Sequence, residues 1–420
     1  MTRRYGSRGF GVTGPGDDRS STPGRGTALR IGIDGGCWLN RRGYGRYARS
    51  LLKALAGRND GDQYVIFVDP ETARDQSLPQ SFETVVVPTR HPPAEAASSS
   101  GRRALTDLWR MGWAVARHPT DVFFFPSVYT FFPLLRPIRS VVAIHDVIAE
   151  RHPSQVFSRR RLRLFWKAKL AIAVRQAHLI LTVSDHARDG ILEQFGLPAS
   201  RVRVILEAPD TIFRRLSVPR DPADLLPASD LPRNSRYVLY VGGISPHKNL
   251  PLLVNAYRQL LAGGEFPGLQ LLLVGDYAGD VFYSGYEDLR ALVARLDLEG
   301  SVRFTGFVPD ETLVDLYNRA EVLVLPSLEE GFGLPAFEAA ACGTPVVAST
   351  VGPAGSLLGP AALTFPPTDA GALTNALSTL LREPARRQAM GVEGRRRAAT
   401  FTWERAAEQA HAMFHEIHGR

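Results

Sequence analysis

The amino-acid sequence predicts an α/β fold made of two Rossmann-like domains with a cleft between them. Two observations support this prediction. Short apolar runs of strand length alternate with helical patterns, and the alternation starts again in the second half of the chain after a stretch rich in proline and aspartate. The chain has 420 residues, of which 44% are hydrophobic, so it is long enough for two cores of ordinary size.

The first half carries seven predicted strands, and helical patterns over Tyr44–Leu55 and Ala104–Ala116 lie between some of them. The strands are Leu29–Asp34, Tyr64–Val68, Thr84–Val87, Val122–Phe125, Val141–Ile144, His178–Ser184 and Val202–Leu206. Residues 1–28 are rich in Gly, Arg, Ser and Pro and have no hydrophobic period, which predicts a disordered extension. The first domain is therefore placed at residues 29–215.

The second half repeats the alternation after a predicted linker at residues 216–235. Its predicted strands are Tyr237–Gly243, Leu269–Gly275, Val302–Gly306, Val322–Pro326 and Pro345–Ala348. These strands place the second domain at residues 236–400. Residues 401–420 follow it and contain a predicted helix at Trp403–His418.

The segment Glu330–Glu338 predicts an anion site with two carboxylates beside it. Pro335 suits the first turn of a helix, because its fixed φ fits there and its missing N–H would have had no partner. The amides of Phe332, Gly333 and Leu334 would then be available to a phosphate at the positive end of the helix dipole. The two acids would bind neutral hydroxyls of the same ligand, and a nucleotide sugar has both chemical groups.

The alternative for this segment is a surface loop whose glutamates face water. The flanking runs Val322–Pro326 and Pro345–Ala348 argue against it, because both have the composition of buried strands. They place the loop at the carboxyl end of a strand in a βαβ unit, which is where open α/β sheets bind ligands.

The residues Glu330–Glu338, followed by Ala341-Cys342-Gly343-Thr344-Pro345-Val346-Val347, resemble the paired-glutamate motif of the retaining glycosyltransferases of family four. The motif is long and specific, and matching segments cover most of residues 29–415. The resemblance implies the GT-B fold and a C-terminal helix, Trp403–His418, that crosses back to the first domain. It also implies retaining, hexosyltransferase activity that moves a sugar from a nucleotide sugar to a saccharide or lipid-linked acceptor.

Two loops of the first half are predicted to reach the cleft. In the first, Gly43 and Gly45 would let the backbone approach a ligand and Arg46 would offer a cation to phosphate. This loop resembles the family's Gly-Gly-x-Gly-Arg-Tyr loop, although Arg42 stands where the first Gly is usual. In the second, His145 and Asp146 match the family's His-Asp pair, whose histidine contacts the transferred sugar.

Two loops of the second half complete the predicted cleft. Lys248 would place an ammonium against the departing diphosphate, where negative charge grows as the glycosidic bond breaks. Many family members have Arg at the position of Gly243. Without it, either Lys248 acts with backbone amides and Arg46, or His247 assists, or the chain is weakly active. The other loop, Phe304–Pro309, resembles the one that flanks the nucleotide base.

The resemblance assigns roles to the two glutamates. Glu338 would accept hydrogen bonds from the ribose hydroxyls, and Glu330 would bind the transferred sugar and stabilise positive charge at its anomeric carbon. No Asp-x-Asp stands out as a metal site, which predicts no metal and no cofactor besides the nucleotide-sugar donor. The His-Asp pair followed by Arg151-His152-Pro153 resembles the mannosyl-type members of the family that act in cell-surface polysaccharide assembly. This resemblance favours GDP-mannose as the donor, and UDP-sugars stay open. Acceptor choice would rest on loops such as His91–Gly101.

Composition limits the partners and the location. The net charge of +8 favours anionic partners, but no nucleic-acid motif accompanies it. The basic segment Arg159–Lys169 also carries Leu, Phe and Trp, so it is either a helix that rests on an anionic membrane or a surface helix with a solvated basic face and a core-facing Leu/Phe stripe. No apolar run has the length of a membrane span, and the first eight residues have no secretory signal character, which predicts a cytoplasmic protein.

Three other functions were compared with glycosyl transfer. A GT-B epimerase would act on a sugar nucleotide without an acceptor. An NAD-dependent oxidoreductase would need a Gly-x-Gly-x-x-Gly after the first strand, and Gly32, Gly35 and Gly36 do not have that spacing. A catalytically silent partner subunit stays open because of Gly243.

Overall fold

The computed structural model describes residues 28–90, 105–157, 160–276 and 284–419 of the chain. Several predictions fall partly or wholly on other residues. Residues 1–27 of the predicted disordered extension and the loop His91–Gly101 lie outside the described part, and so does Arg159 of the basic segment.

Seven strands of the first half form a parallel sheet. They are β1 (Arg30–Asp34), β2 (Gln63–Val68), β3 (Glu83–Val86), β4 (Val122–Phe125), β5 (Arg139–Ala143), β6 (Leu179–Thr182) and β7 (Val202–Val204). Their order is β3-β2-β1-β4-β5-β6-β7, so the direction of winding reverses between β1 and β4. Ligands of open parallel sheets bind outside the carboxyl ends of the strands at such a switch point.

Helices cover both faces of this sheet. They are α1 (Gly43–Ala56), α2 (Leu105–Arg117), α3 (Ile148–Arg151), α4 (Pro153–Val156), α5 (Arg160–Gln176) and α6 (Asp185–Phe195). Because side chains alternate along a strand, Ile31 and Ile33 join the core cluster on the α1 face, while Phe123 and Phe125 join the cluster on the opposite face. Helices α2 and α5 both contribute buried residues to that second cluster.

The second half forms a six-stranded parallel sheet. Its strands are β8 (Tyr237–Val241), β9 (Gln270–Val274), β10 (Val302–Gly306), β11 (Val322–Leu325), β12 (Val346–Ser349) and β13 (Ala362–Phe365), and its order is β10-β9-β8-β11-β12-β13. The helices are α7 (Pro222–Leu225), α8 (Leu250–Ala262), α9 (Tyr286–Arg295), α10 (Asp310–Arg319), α11 (Leu334–Cys342), α12 (Ala354–Leu358), α13 (Ala370–Arg382), α14 (Pro384–Ala398) and α15 (Trp403–His418). The switch point here lies between β8 and β11, directly before the Lys248 loop and the glutamate segment.

Two parallel sheets with helices on their faces confirm the α/β prediction, and the predicted strands agree with the observed ones to within two residues at most ends. Strand β13 was not predicted. It is a four-residue edge strand that pairs only with β12 among the described strands, and its first three residues are not fully buried, so its sequence lacks the apolar run of the central strands.

The C-terminal helix returns to the first half of the chain, as predicted. The ring of Phe414 on α15 lies 5.4 Å from the ring of Phe124 on β4, and Trp403 at the helix start lies 5.8 Å from Tyr47 on α1. Several small and apolar residues of α15 are fully buried on that side. The helix therefore packs against the first sheet and its α1 layer.

The segment placed as the linker, 216–235, is fastened to the second half. The guanidinium of Arg220 donates to Asp315 on α10 at 2.6 and 2.9 Å, and the Arg220 amide donates to the same carboxylate at 2.7 Å. The short helix α7 lies within this segment. The domain boundaries themselves stay a prediction.

Candidate active site

The glutamate segment lies where β11 ends and α11 begins. Gly333 precedes the helix in a left-handed conformation, with φ of +82°, and Pro335 occupies its first turn as the sequence predicted. Leu334 opens the helix, so its amide is one of the helix-terminal donors that have no partner inside the helix. The Phe332 side chain is buried and stacks on Phe337, with 4.3 Å between ring centroids, which leaves its backbone as the part that a ligand could use.

Gly331 is required by a contact with the other half of the chain. A Cβ atom at this position would lie 2.5 Å from the carbonyl oxygen of His145. The Gly331 carbonyl also accepts a hydrogen bond of 2.5 Å from the hydroxyl of Ser184, which caps α6. The glutamate loop and the His145 loop therefore meet backbone to backbone across the cleft.

Glu330 and Lys248 form an ion pair within the second half. The Lys248 ammonium lies 2.8 Å from Glu330 Oε2, and the Ser327 hydroxyl donates to the same oxygen at 3.0 Å. Both charged side chains keep about a fifth of their surface exposed, at 17% for Glu330 and 20% for Lys248. The carboxylate is therefore held in place and still reachable from the cleft.

The Lys248 loop is fixed by hydrogen bonds to its neighbours. Asn249 adopts a left-handed conformation, with φ of +56°, and its amide group donates to the carbonyls of Pro326 and Pro367 at 3.1 and 2.8 Å. The carbonyl of His247 accepts the Leu328 amide at 2.8 Å. Burial and the nearby Lys248 charge lower the pKa of His247 to about 3, so this imidazole adds no second positive charge beside Lys248 at neutral pH.

Gly243 lies at the carboxyl end of β8, in the same loop. Its carbonyl oxygen accepts the Tyr240 hydroxyl at 2.7 Å. The preceding Gly242 has a φ of +151°, and a Cβ there would lie 2.7 Å from that hydroxyl. The two glycines therefore form a tight turn around Tyr240.

Glu338 is buried, with only 1% of its side chain exposed, and it pairs with the first half of the chain. The Arg46 guanidinium contacts Glu338 through one nitrogen and Asp310 through another, and the Tyr317 hydroxyl donates to Glu338 Oε2 at 2.8 Å. Burial raises the pKa of Glu338, and the Arg46 charge and the Tyr317 hydrogen bond oppose that shift. In this structure the Arg46 cation, which was assigned to phosphate, is held by two carboxylates.

The two glycines before Arg46 have different surroundings. A Cβ at Gly45 would lie 2.1 Å from the Asn40 carbonyl oxygen, so the close approach that requires this glycine is made within the chain. At Gly43 a Cβ would meet nothing within 4 Å, and the residue is exposed. Of the two, only Gly43 offers open backbone to a ligand.

His145 follows β5 and is held on its ring nitrogens. Nε2 lies 3.1 Å from the Pro126 carbonyl oxygen, and Nδ1 lies 3.5 Å from Glu207 Oε1. Burial alone would lower the pKa of His145, but the Glu207 carboxylate outweighs it and raises the pKa. Asp146 accepts the Ile148 amide at 3.0 Å, so its carboxylate orders the start of the following helix.

Sequence reasoning missed several residues of this site, among them Glu207, Asp310, Tyr317 and Ser327. Asp310 directly follows the loop Phe304–Pro309, so that loop was the available signal for it. Tyr317 lies one helix away from Glu338 and has no motif that marks it. Ser327 is three residues before Glu330, and only the turn geometry brings its hydroxyl to the carboxylate.

Comparison with known proteins identifies the family. Residues 41–211 match the family described as Glycosyltransferase Family 4, and residues 224–397 match Glycosyl transferases group 1. The chain is also 31% identical over 389 residues to the O-antigen chain mannosyltransferase B of Escherichia coli, an alignment that covers 87% of this chain and 94% of the relative. The chain belongs to glycosyltransferase family four. It is therefore a glycosyltransferase, as the resemblance implied.

Solved structures of similar fold confirm the GT-B architecture of this family-four glycosyltransferase. Sucrose-phosphate synthase from Thermosynechococcus elongatus superimposes with a TM-score of 0.72 at 25% identity, over 93% of this chain and 99% of that one. The HepE protein of Anabaena, solved in complex with UDP-glucose, superimposes with a TM-score of 0.68 at 20% identity, over 92% of this chain and 99% of that one. The second likeness shows the fold alone.

The exposed side chains of this glycosyltransferase rule out one of the two interpretations of the basic segment. Along the described residues no helix combines the length and the apolar character that crossing a membrane requires. On α5, however, Leu164 and Phe165 are 67% and 45% exposed, so the expected core-facing Leu/Phe stripe is wrong. The residues that face inward from this helix are Leu170 and Ala173, with Trp166 partly covered.

Proposed function

We propose that this glycosyltransferase transfers a hexose from a nucleotide sugar with retention of anomeric configuration and without a metal. One observation carries the proposal. An accessible ion pair, Glu330 and Lys248, and a buried carboxylate, Glu338, lie at the two ends of a segment that contains a helix N-terminus, beside the switch point of the second sheet. This arrangement suits a ligand that has a diphosphate between two polyhydroxyl groups.

The donor would bind with its ribose at Glu338 and its diphosphate at the backbone amides of Phe332, Gly333 and Leu334. Arg46 now holds Glu338, so ribose hydroxyls would compete with this guanidinium for the same carboxylate. Arg46 would then be free to move toward the diphosphate, where its charge is complementary. Donor binding and the seating of Arg46 are therefore linked.

Bond cleavage would separate charge between Glu330 and Lys248. As the bond between the anomeric carbon and the phosphate oxygen breaks, Glu330 stabilises the positive charge on the sugar, and Lys248 with the helix amides stabilises the nucleoside diphosphate. The acceptor hydroxyl attacks from the same face, its oxygen bonds to the anomeric carbon, and its proton passes to the departing phosphate oxygen. His145 would contact the transferred sugar from the opposite side of the cleft.

Mannose carried by GDP is the donor that we favour, and a saccharide or lipid-linked acceptor in surface polysaccharide assembly is the partner. The support is the His-Asp segment followed by Arg151-His152-Pro153, together with the 31% identity to an O-antigen chain mannosyltransferase over nearly the whole chain. UDP-glucose is the main competing donor. Gly243 supports a second candidate, a silent partner subunit, because a usual cation of the site is missing.

The deciding experiment measures thermal stabilisation by GDP-, UDP-, ADP- and dTDP-sugars, because a ligand that binds only the folded chain raises its stability. We expect GDP-mannose to raise Tm, and we expect Glu338→Ala to abolish the shift. Stabilisation by a sugar of another nucleotide class would identify that sugar as the donor in place of GDP-mannose. No shift in Tm with any of them would favour the silent subunit.

Turnover of the stabilising donor then separates the remaining functions. Transfer that requires an added acceptor, gives a product of unchanged anomeric configuration by NMR and persists in a chelator supports the proposal. Isomerisation or hydrolysis that needs no acceptor would instead indicate an epimerase.

Peripheral contact with the inner face of the membrane is part of the proposal. Helices α2 and α5 cover the same face of the first sheet and expose Trp109, Trp113, Leu164 and Phe165 beside several arginines. Aromatic and basic side chains together favour an anionic bilayer surface. In a vesicle sedimentation assay, Leu164→Ser with Phe165→Ser should reduce binding to phosphatidylglycerol vesicles. Val218→Ser, at an 83% exposed valine of the linker segment, should leave that binding unchanged.

A further inference from the structure

Four metal-binding side chains meet where the C-terminal helix packs on the first half. Asp60 and Asp62 lie in the turn between α1 and β2, in an Asp-Gly-Asp sequence that the sequence analysis did not treat as a metal site. Gly61 has a φ of +90°, and the Asp62 amide donates to Asp60 Oδ1 at 3.3 Å. This turn directs both carboxylates toward α15, where His411 and His415 lie one helical turn apart.

The distances between the ligand atoms suit a single small cation. His415 Nε2 is 2.9 Å from Asp62 Oδ2, and His411 Nε2 is 3.1 Å from that oxygen and 3.2 Å from Asp60 Oδ2. In a tetrahedral zinc site with bonds of about 2.0–2.1 Å, adjacent ligand atoms are roughly 3.3 Å apart. The three nitrogen–oxygen distances are therefore within a few tenths of an ångström of that spacing.

Hydrogen bonds alone leave one of these groups unexplained. His411 Nε2 is buried and has no hydrogen-bond partner among the described residues, although two carboxylate oxygens lie within 3.2 Å of it. A nitrogen that approaches two oxygens at contact distance without hydrogen-bond geometry has the arrangement of atoms that share a metal.

We propose that Asp62, His411 and His415 bind a divalent cation of the zinc class, with Asp60 as a fourth ligand. The second oxygen of Asp62 accepts the Leu29 amide at 2.8 Å, which fixes the orientation of this carboxylate as outer partners do in metal sites. Arg58 donates to Asp60 at 2.8 Å, so a metal shares that carboxylate with a guanidinium, and Asp60 is the weakest of the four ligands.

The cation has a structural role. Asp62 immediately precedes β2, so the cluster lies at the amino-terminal edge of the first sheet, whereas the site loops follow the carboxyl ends of the strands. A metal here joins the turn after α1 to the last helix, about 350 residues later in the sequence. It fastens the C-terminal helix to the first half and takes no part in sugar transfer.

The test uses the full chain without an affinity tag, freed of metal by a chelator and dialysed against zinc. We expect one zinc per chain and a rise in Tm on adding zinc. His411→Gln and His415→Gln should each lose at least about tenfold in zinc affinity, since even the loss of an outer partner costs 10- to 100-fold. His418→Gln, an exposed histidine on the same helix, is the matched control and should bind zinc like the unmodified chain.

Each other outcome overturns the proposal. If the unmodified chain binds no zinc and shows no shift in Tm, the cluster is held by hydrogen bonds and ion pairs alone, whatever the variants do. If all three variants lose zinc equally, or none does, the metal is bound elsewhere. Circular dichroism of each variant shows that it is folded before its affinity is compared. Donor stabilisation measured without zinc tests the transfer site separately.

Discussion

The two ends of the glutamate segment differ in what holds them. Glu330 is 17% exposed, and the two side chains that bond to its carboxylate, Lys248 and Ser327, both belong to the second half of the chain. Glu338 is 1% exposed, and one of its partners, Arg46, comes from the first half. The Glu330 end, which we propose to be the reacting end, is therefore held by one half alone. The Glu338 end, which we propose to bind the ribose, depends on how the two halves meet.

The largest expected effect concerns the reacting end. Glu330→Gln keeps the shape of the side chain and removes the charge that would face the anomeric carbon, so kcat should fall by about 10²- to 10³-fold. The free energy of unfolding should change little, because the group is partly exposed. Steady-state kinetics with the identified donor and a denaturant titration measure the two quantities. A variant that loses stability but keeps kcat would contradict the comparison.

A smaller effect is expected at the ribose end. Glu338→Gln removes a charged acceptor from the ribose, and one such hydrogen bond contributes about 1.5–3 kcal/mol, so donor affinity should fall about 10- to 100-fold. The free energy of unfolding should fall as well, since Arg46 loses one of its two carboxylates. Calorimetric donor titration checks this. The double variant Arg46→Met with Glu338→Gln should be more stable than Glu338→Gln alone, yet bind the donor no more tightly. That result would separate the loss of stability from the loss of affinity.

Gly331→Ala should affect the Glu338 end of the glutamate segment more than the Glu330 end. The new methyl group would lie 2.5 Å from the His145 carbonyl. The backbone contact between the glutamate loop and the His145 loop, which we call the seam, must then open or carry roughly 1–3 kcal/mol of strain. We expect weaker donor binding, because the Glu338 end needs both halves, and an unchanged Glu330–Lys248 pair. Gly43→Ala, where a Cβ meets nothing within 4 Å, is the control for the seam. Equal effects of both substitutions on Tm would show that Gly331 has no special contact.

The smallest expected effect is a pH dependence of the free energy of unfolding that comes from the ion pair of Glu329 with Arg151, close to the seam. Glu329 pairs with Arg151 at 2.8 Å, and the His186 ring nitrogen 3.4 Å from Glu329 Oε1 is the main cause of the lowered pKa of Glu329. Because the folded-state pKa is lowered, this stabilisation is complete above the ordinary value of about 4.5 and is lost as pH falls through the lowered pKa. We expect less than about 1 kcal/mol. Unfolding curves of the unmodified chain and Glu329→Gln should converge at low pH, and a constant gap would count against this contact.

The sequence predicted the parts of the molecule that follow from local pattern. Buried strands such as Val122–Phe125 and the helix start at Pro335 were predicted, because apolar runs and a proline at a first turn act over a few residues. The pairing of Lys248 with Glu330 was not predicted but could have been, because both residues follow strands that flank the same switch point.

The contacts that the sequence could not predict join distant residues. Arg46 and Glu338 are 292 positions apart, and nothing in either loop shows that the second half presents a carboxylate to the first. The same holds for Asp62 and His415, which are 353 positions apart. Gly45 was assigned to a ligand, yet its nearest neighbour is Asn40, because a glycine signals close approach without saying to what.

The seam at Gly331 has a consequence for building hybrid enzymes. Its atoms are the His145 carbonyl, the Gly331 carbonyl and one serine hydroxyl, so the fit depends on main-chain shape more than on side-chain identity. A second half taken from another member of the family should therefore seat on this first half if it keeps the glycine, while the first half keeps Ser184. Exchanging donor preference by recombination then needs no redesign of this backbone contact, although the side-chain contacts Arg46–Glu338 and Phe124–Phe414 between the halves must also be kept.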